Sequence, residues 1–295
     1  MECSAQYADV LERSLYNGVI AAMSYDGTSF FYVNPLEVVP EASEKDYLRH
    51  HVKVTRQKWF GCACCPANLA RLIASVDEYL YTVNEDTILS HQFIANEAEF
   101  DDGIKVSQTN HFPWSGDIHY EIENPNKASF KFGIRIPSWS AKYELSVDGA
   151  AKSLPVEDGF IYLDVDGKSM TLDLKLDMST KIMRASNRVK ADYGKVAVQR
   201  GPVVYAAEEA DNEAPLWDYQ VAADAKTDYH FDEKLLDGVG VVKIAAKREK
   251  LDDVNAPLYT EVQNEDTENV DLTLVPYYSW ANRQDGQMRV WLNKE

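Results

Sequence analysis

The chain has 295 residues, 45% of them hydrophobic, and a formal net charge of −18. That length exceeds one typical core and predicts two or three domains. The acidity argues against nucleic acid and anionic membrane surfaces as partners, since both are bound through basic patches.

The opening residues, Met-Glu-Cys-Ser-Ala-Gln, hold neither a basic segment nor a long apolar core, so no signal peptide is read there. The apolar run 19–23 is too short to span a bilayer. A cytoplasmic location is the expectation. Residues 5–19 place Tyr7, Val10, Leu11, Leu15 and Val19 on one face of an amphipathic helix with no clear N-cap, ended by Asn17-Gly18. Residues 20–25 and 28–33 flank Asp26-Gly27, a pair preferred in type I′ turns, and predict a hairpin. A charged loop over 41–51 follows.

Three of the four cysteines, Cys62, Cys64 and Cys65, then fall within four positions. Pro66 comes next, and Leu69, Leu72, Ile73, Val76 and Leu80 recur at helical spacing. Pro66 reads as the first residue of a helix running to about Leu80, which sets Cys64 and Cys65 at its N-terminus. Unpaired N–H groups and the helix dipole favour a thiolate there. Such thiols are either small buried hydrophobes or a centre of chemistry. A four-ligand zinc site commonly draws on two separated pairs. Cys3 is the only other thiol, so zinc here needs His or carboxylate donors from elsewhere. A three-plus-one distribution is no disulfide framework, and the cluster suggests reduced thiols.

Beyond residue 80, short alternating runs predict strands at 87–94, 104–109, 118–123, 129–136, 145–147, 160–165, 196–198 and 203–206. Leu172, Leu174, Leu176 and Met178 alternate with polar residues, as in a half-buried strand. This is a β-sandwich or a related antiparallel fold. Residues 209–217 form an acidic break read as a linker, followed by strands at 240–246, 270–275 and 288–292. The histidines receive no role, and Trp139, Trp280 and Trp291 are assigned to cores. No HExxH, GxSxG, Walker or GxGxxG pattern occurs.

The stretch Trp-Phe-Gly-Cys-Ala-Cys-Cys-Pro-Ala-Asn-Leu-Ala-Arg (59–71) resembles the hallmark of glycoside hydrolase family 127, the β-L-arabinofuranosidase-like enzymes. The resemblance extends through Tyr-Ala-Asp-Val-Leu-Glu-Arg (7–13), Phe-Tyr-Val-Asn-Pro-Leu (31–36) and Ile-Arg-Ile-Pro-Ser-Trp (134–139). It continues in Gln-Arg-Gly-Pro-Val-Val-Tyr (199–205) and Pro-Tyr-Tyr-Ser-Trp-Ala-Asn-Arg (276–283). It implies an α+β multidomain fragment: terminal helices of an (α/α)6 barrel, then two antiparallel β-sandwich-like domains. The expected divisions are 1–82 for the end of the barrel, 83–211 for a middle β-sandwich and 212–295 for a C-terminal β domain.

The resemblance also implies retaining hydrolysis by a cysteine nucleophile on zinc. Carried onto this sequence, Cys64 is the nucleophile and a metal contact, Cys65 is a metal ligand, and Tyr32 belongs to the substrate pocket. The substrate class is an arabinose-containing oligosaccharide or glycoconjugate. The resemblance implies that the family's Glu-x-Cys motif and acid/base Glu lie upstream of this chain; Glu2-Cys3 has the wrong spacing and sits too close to the 7–13 stretch to be that motif. The zinc site is therefore expected to be incomplete and the chain inactive alone. Two other readings remain: an accessory carbohydrate-binding β-sandwich protein, and a structural zinc module. The first predicts sugar binding indifferent to Cys64→Ala, the second unfolding on chelation.

Overall fold

A computed structural model describes residues 4–250, 255, 257–261 and 266–295. It is mostly β-sheet with few helices. Two compact units divide the chain: Met1–Val19 with Ala67–Ser179, and Ile20–Pro66 with Thr180–Glu295.

The first unit is a two-sheet sandwich. One sheet has the order Phe160–Val165, Phe130–Arg135, Thr87–Ser90, Tyr81–Asn84. The other runs Asn96–Glu99, Lys105–Asn110, Asp117–Glu123, Ser169–Leu176, Tyr143–Val147, Ala150–Lys152. Their inner faces share one core, which includes Phe130, Phe132 and Ile134 from the first sheet and Ile118, Tyr120 and Ile122 from the second. The expected alternation holds in Ser169–Leu176, where Leu172, Leu174 and Leu176 point inward. The pairing is not wholly antiparallel, because Thr87–Ser90 runs parallel to Phe130–Arg135.

Strand Phe130–Arg135 is also buried on its outer side. There the helix Ala5–Ser14 packs, begun by Ser4, whose hydroxyl accepts from the Gln6 N–H at 3.4 Å. Of the expected apolar face, Leu15 is buried and Leu11 and Val19 are half-buried, but Tyr7 and Val10 are not inside. Tyr7 and Val10 are 62% and 63% exposed, while Ala5, Ala8, Asp9 and Glu12 are buried. The reason is Arg135. Its side chain is wholly buried, and a buried guanidinium must meet acceptors. Asp9 accepts from it at 2.6 Å, Glu12 forms the second ion pair, and the His91 carbonyl accepts its Nε–H. Trp139 donates to the same Glu12 at 2.7 Å. Gly159 allows the close approach: at φ +85°, an added Cβ would stand 2.3 Å from that of Ala5. The α-helix ends at Ser14 and is followed by a π-helical turn, Leu15–Val19, where the Asn17 side chain bonds the Arg13 carbonyl.

The second unit is built on a ten-stranded sheet. Its path includes Val203–Glu208, Thr267–Pro276, Val239–Glu249, Tyr219–Val221, Leu292–Lys294 and Lys195–Arg200, and it closes because Lys195–Arg200 also pairs with Val203–Glu208. Strands on both sides of residue 211 therefore belong to one sheet, and the expected division at 211/212 does not coincide with the units. The acidic stretch is tied down rather than a linker. The Asn212 side chain bonds the Glu208 and Thr273 carbonyls, Asp211 pairs with Arg283, and Glu213 pairs with Arg248.

Two local expectations also change in this unit. The hairpin over 20–33 is a 3-10 turn, Ile20–Ala22, with a single bridge between Met23 and Phe30. Asp26 organises the bend by accepting from the Ser24 hydroxyl and from the Thr28 N–H and hydroxyl, which holds its carboxyl at about 2. The charged loop contains a short helix, Pro40–Lys45, with proline in its first turn.

Candidate active site

The cysteine helix spans Cys64–Ala74. It starts earlier than expected, so Pro66 is its third residue. Proline costs little there, because the first turn's N–H groups have no partner within the helix. Cys64 and Cys65 open the helix, and Cys62 lies in the bend before it. No disulfide joins the three. Cys62 and Cys64 are exposed, with sulfurs 3.7 Å apart, and the Cys64 and Cys65 sulfurs are 3.8 Å apart. Cys64 and Cys65 are in the helix's first turn, where the dipole favours negative charge, and Cys62 adjoins it. The buried-hydrophobe reading does not describe Cys62 and Cys64.

The fold brings Tyr32 to this cluster, 32 residues before Cys64 in sequence. Its hydroxyl hydrogen-bonds Cys62, and negative charge on Cys62, then Cys64, raises its pKa. The Tyr32 ring lies 5.7 Å from that of Phe60, which in turn lies 5.1 Å from Phe30. Phe31, between Phe30 and Tyr32 in sequence, stacks on Trp280 with centroids 4.5 Å apart and planes 6° off parallel.

Arg56 joins the two rings of that stack. It donates to the Ala21 carbonyl at 2.8 Å, to the Trp280 carbonyl at 2.7 Å and to the Tyr278 carbonyl at 3.3 Å. Its guanidinium carbon stands 4.6 Å from the Phe31 centroid. Burial lowers its pKa to about 10, so it stays charged at neutral pH. Sequence reasoning missed Arg56 because nothing in a loop rich in Lys, Arg and His separates a buried cation from a solvated one.

Among the described residues, no group of three His, Cys, Asp or Glu side chains is arranged to hold a metal ion. The sulfur spacing nonetheless suits part of one. A tetrahedral zinc with Zn–S near 2.3 Å has S···S edges of about 3.8 Å. The Cys64–Cys65 pair, like the Cys62–Cys64 pair, has the spacing of two corners of a zinc tetrahedron, and a pair leaves the other two corners unfilled. Glu2 and Cys3 lie outside the described residues. His50, His91 and His119 are engaged with the Glu44 carbonyl, Thr82 and Asp173 respectively. A groove of about 1010 Å³ in the sandwich unit, lined by residues such as Gln6, Asp9, Tyr143 and Lys152, contains none of the cysteines.

Three sequence models of one family match in succession. The β-L-arabinofuranosidase GH127 catalytic domain matches residues 1–78, the GH127 middle domain 87–178 and the GH127 C-terminal domain 180–293. The chain belongs to glycoside hydrolase family 127. It is 49% identical to a non-reducing end β-L-arabinofuranosidase of Bifidobacterium longum subsp. longum, over 99% of this chain and 46% of that protein. Among solved structures, a GH127 β-L-arabinofuranosidase from Geobacillus stearothermophilus T6 superposes with a TM-score of 0.95 at 39% identity. That match covers 100% of this chain and 47% of the other. A GH127 β-arabinofuranosidase matches with a TM-score of 0.84 at 33% identity, covering 99% of this chain and 46% of its own. The chain thus spans about half the length of the relatives it matches. No helix among the described residues is long and apolar enough to cross a membrane.

Proposed function

We propose that this chain carries the nucleophile of a retaining β-L-arabinofuranosidase-type glycoside hydrolase acting on arabinose-containing glycans. The observation that carries the reading is Cys64, exposed at a helix N-terminus with two sulfurs within 3.8 Å and Tyr32 beside the cluster. The family membership supplies the reaction class.

Cys64 Sγ attacks the anomeric carbon from the face opposite the leaving group. A C–S bond forms as the glycosidic C–O bond breaks, and the leaving oxygen takes a proton from a carboxylic acid. Water then attacks the same carbon, the C–S bond breaks, and the carboxylate receives the water's proton. Two inversions give net retention. Tyr32 and Phe60 offer an aromatic wall and one hydroxyl to the sugar. Cys64 and Cys65 would hold a zinc ion together with donors outside the described residues; when bound, it keeps the Cys64 sulfur ionised.

The carboxylic acid and the remaining zinc donors belong, in this reading, to the part of the relatives' length that this chain does not span, in a barrel completed by that part. These 295 residues alone are then inactive. The test is hydrolysis of an aryl β-L-arabinofuranoside by the chain alone and mixed with the first half of the Bifidobacterium relative, with zinc content measured on each. Activity and near-stoichiometric zinc are expected only in the mixture, and Cys64→Ala should abolish turnover. Hydrolysis that survives Cys64→Ala would overturn the assignment.

A further inference from the structure

The role proposed for Cys64 and Cys65 leaves Cys62 unused, although it is exposed, lies beside Tyr32 and has its sulfur 3.7 Å from that of Cys64. We propose that Cys62 and Cys64 are a redox modification site, closing a reversible intrachain disulfide when a hydroperoxide is the oxidant. The bond itself does not depend on the hydrolase reading. Only its consequence, a blocked nucleophile, rests on it.

Geometry decides which thiol pairs with Cys64. The sulfurs of Cys62 and Cys65 are almost equally near, at 3.7 and 3.8 Å. A disulfide requires Cα atoms about 4.4–6.8 Å apart, whereas consecutive Cα atoms across a trans peptide are about 3.8 Å apart. Cys64 and Cys65 are consecutive and both lie inside the helix, so their backbone cannot open to the required span. Cys62 is two residues away in an irregular bend with no ladder hydrogen bonds to break. Gly61, beside it, has open space where a Cβ would stand, so the bend can adjust. Closing the bond brings the two sulfurs from 3.7 Å to about 2.05 Å.

The chemistry balances in two steps. The Cys64 sulfur attacks the hydroperoxide and takes one oxygen; the O–O bond breaks, an alcohol or water leaves, and Cys64 becomes a sulfenic acid. The Cys62 sulfur then attacks that sulfur, the S–O bond breaks, and water leaves with the Cys62 proton. The peroxide is reduced by two electrons and the thiol pair oxidised by two. A small dithiol or glutathione reverses the bond by exchange. Without Cys62, the sulfenic acid at Cys64 is open to further, irreversible oxidation to the sulfinic acid.

Lys58 and Arg71 bracket the cluster, so trypsin releases all three thiols in one peptide, 59–71. The experiment treats the reduced full chain with equimolar hydrogen peroxide, alkylates the remaining thiols, digests it and weighs that peptide. The expected product has lost two hydrogens, carries a single alkyl group, and is fully alkylated after dithiothreitol. Cys65→Ser should still lose two hydrogens and then carry no alkyl group. Cys62→Ser should lose none and, when a second equivalent of peroxide is added, should accumulate sulfinic acid at Cys64. The proposal is overturned if the wild-type peptide stays fully alkylated, if Cys62→Ser still loses two hydrogens, or if the link joins Cys3 or a second chain. Because the readout is mass, its failure leaves the hydrolase reading standing, and loss of the hydrolase reading leaves this result intact.

Discussion

Arg135→Met should be among the most damaging single changes in the sandwich unit. The arginine and Glu12 side chains are both 0% exposed, and Asp9 completes the ion pairs. Burial opposes the charge on Arg135, but Glu12 and then Asp9 outweigh it and leave its pKa raised. Methionine fills a similar volume but strips the guanidinium from the Glu12 carboxylate, which keeps the Trp139 N–H, in a site without water access. Removing one partner of a buried pair costs about 3–5 kcal/mol, chiefly through the charge left behind. For a unit of this size that is a fall in Tm on the order of 10–20 °C. The assay is urea unfolding followed by far-UV circular dichroism. Neutralising the partners as well, in Asp9→Asn/Glu12→Gln/Arg135→Met, should recover more than half of the loss. A single variant that loses under about 1 kcal/mol, or a triple variant no better than the single, would refute the view that uncompensated charge sets the cost.

Two further outcomes follow from other groups. His91 is held neutral, its pKa lowered from 6.5 to about 4 by burial and by nearby Arg135. The unfolded chain therefore binds more protons between those values. Stability should be fully present above pH 6.5 and lost as pH falls toward 4, and His91→Gln should flatten that slope in thermal melts. Arg56→Met removes the arginine's hydrogen bonds to the Ala21, Trp280 and Tyr278 carbonyls and takes the cation from Phe31. It should cost the second unit about 2–4 kcal/mol. Because Phe31 is the chain neighbour of Tyr32, the change should also speed alkylation of Cys62 in the folded chain; unchanged labelling would detach Arg56 from the site.

Much of the sandwich is legible in the sequence because alternation is local. Leu172, Leu174 and Leu176 face the core since period-two patterning leaves a strand one apolar side. The cysteine helix is legible for a similar reason: proline in a first turn and helical spacing are both local signals. The hairpin over 20–33 misleads because Asp26-Gly27 signals a turn while Ala21 and Phe31 are drawn into the second unit's core, leaving one bridge instead of a ladder. Tyr32 entered through resemblance, since its spacing alone did not select it.

The sequence by itself determined where the thiols sit, which residues open their helix, and the alternation that makes two layers of sheet. These follow from the periods of helix and strand, which act over a few residues. Only the tertiary structure decided that the face of helix Ala5–Ser14 carrying Asp9 and Glu12 is the inner one, that strands on both sides of residue 211 share a sheet, that Arg56 joins Phe31 to Trp280, and that Tyr32 lies beside Cys62. Each of these joins residues distant in the chain through a buried charge or a stacked ring. A buried cation selects whatever acceptors the fold delivers to it, and no local pattern records which those will be.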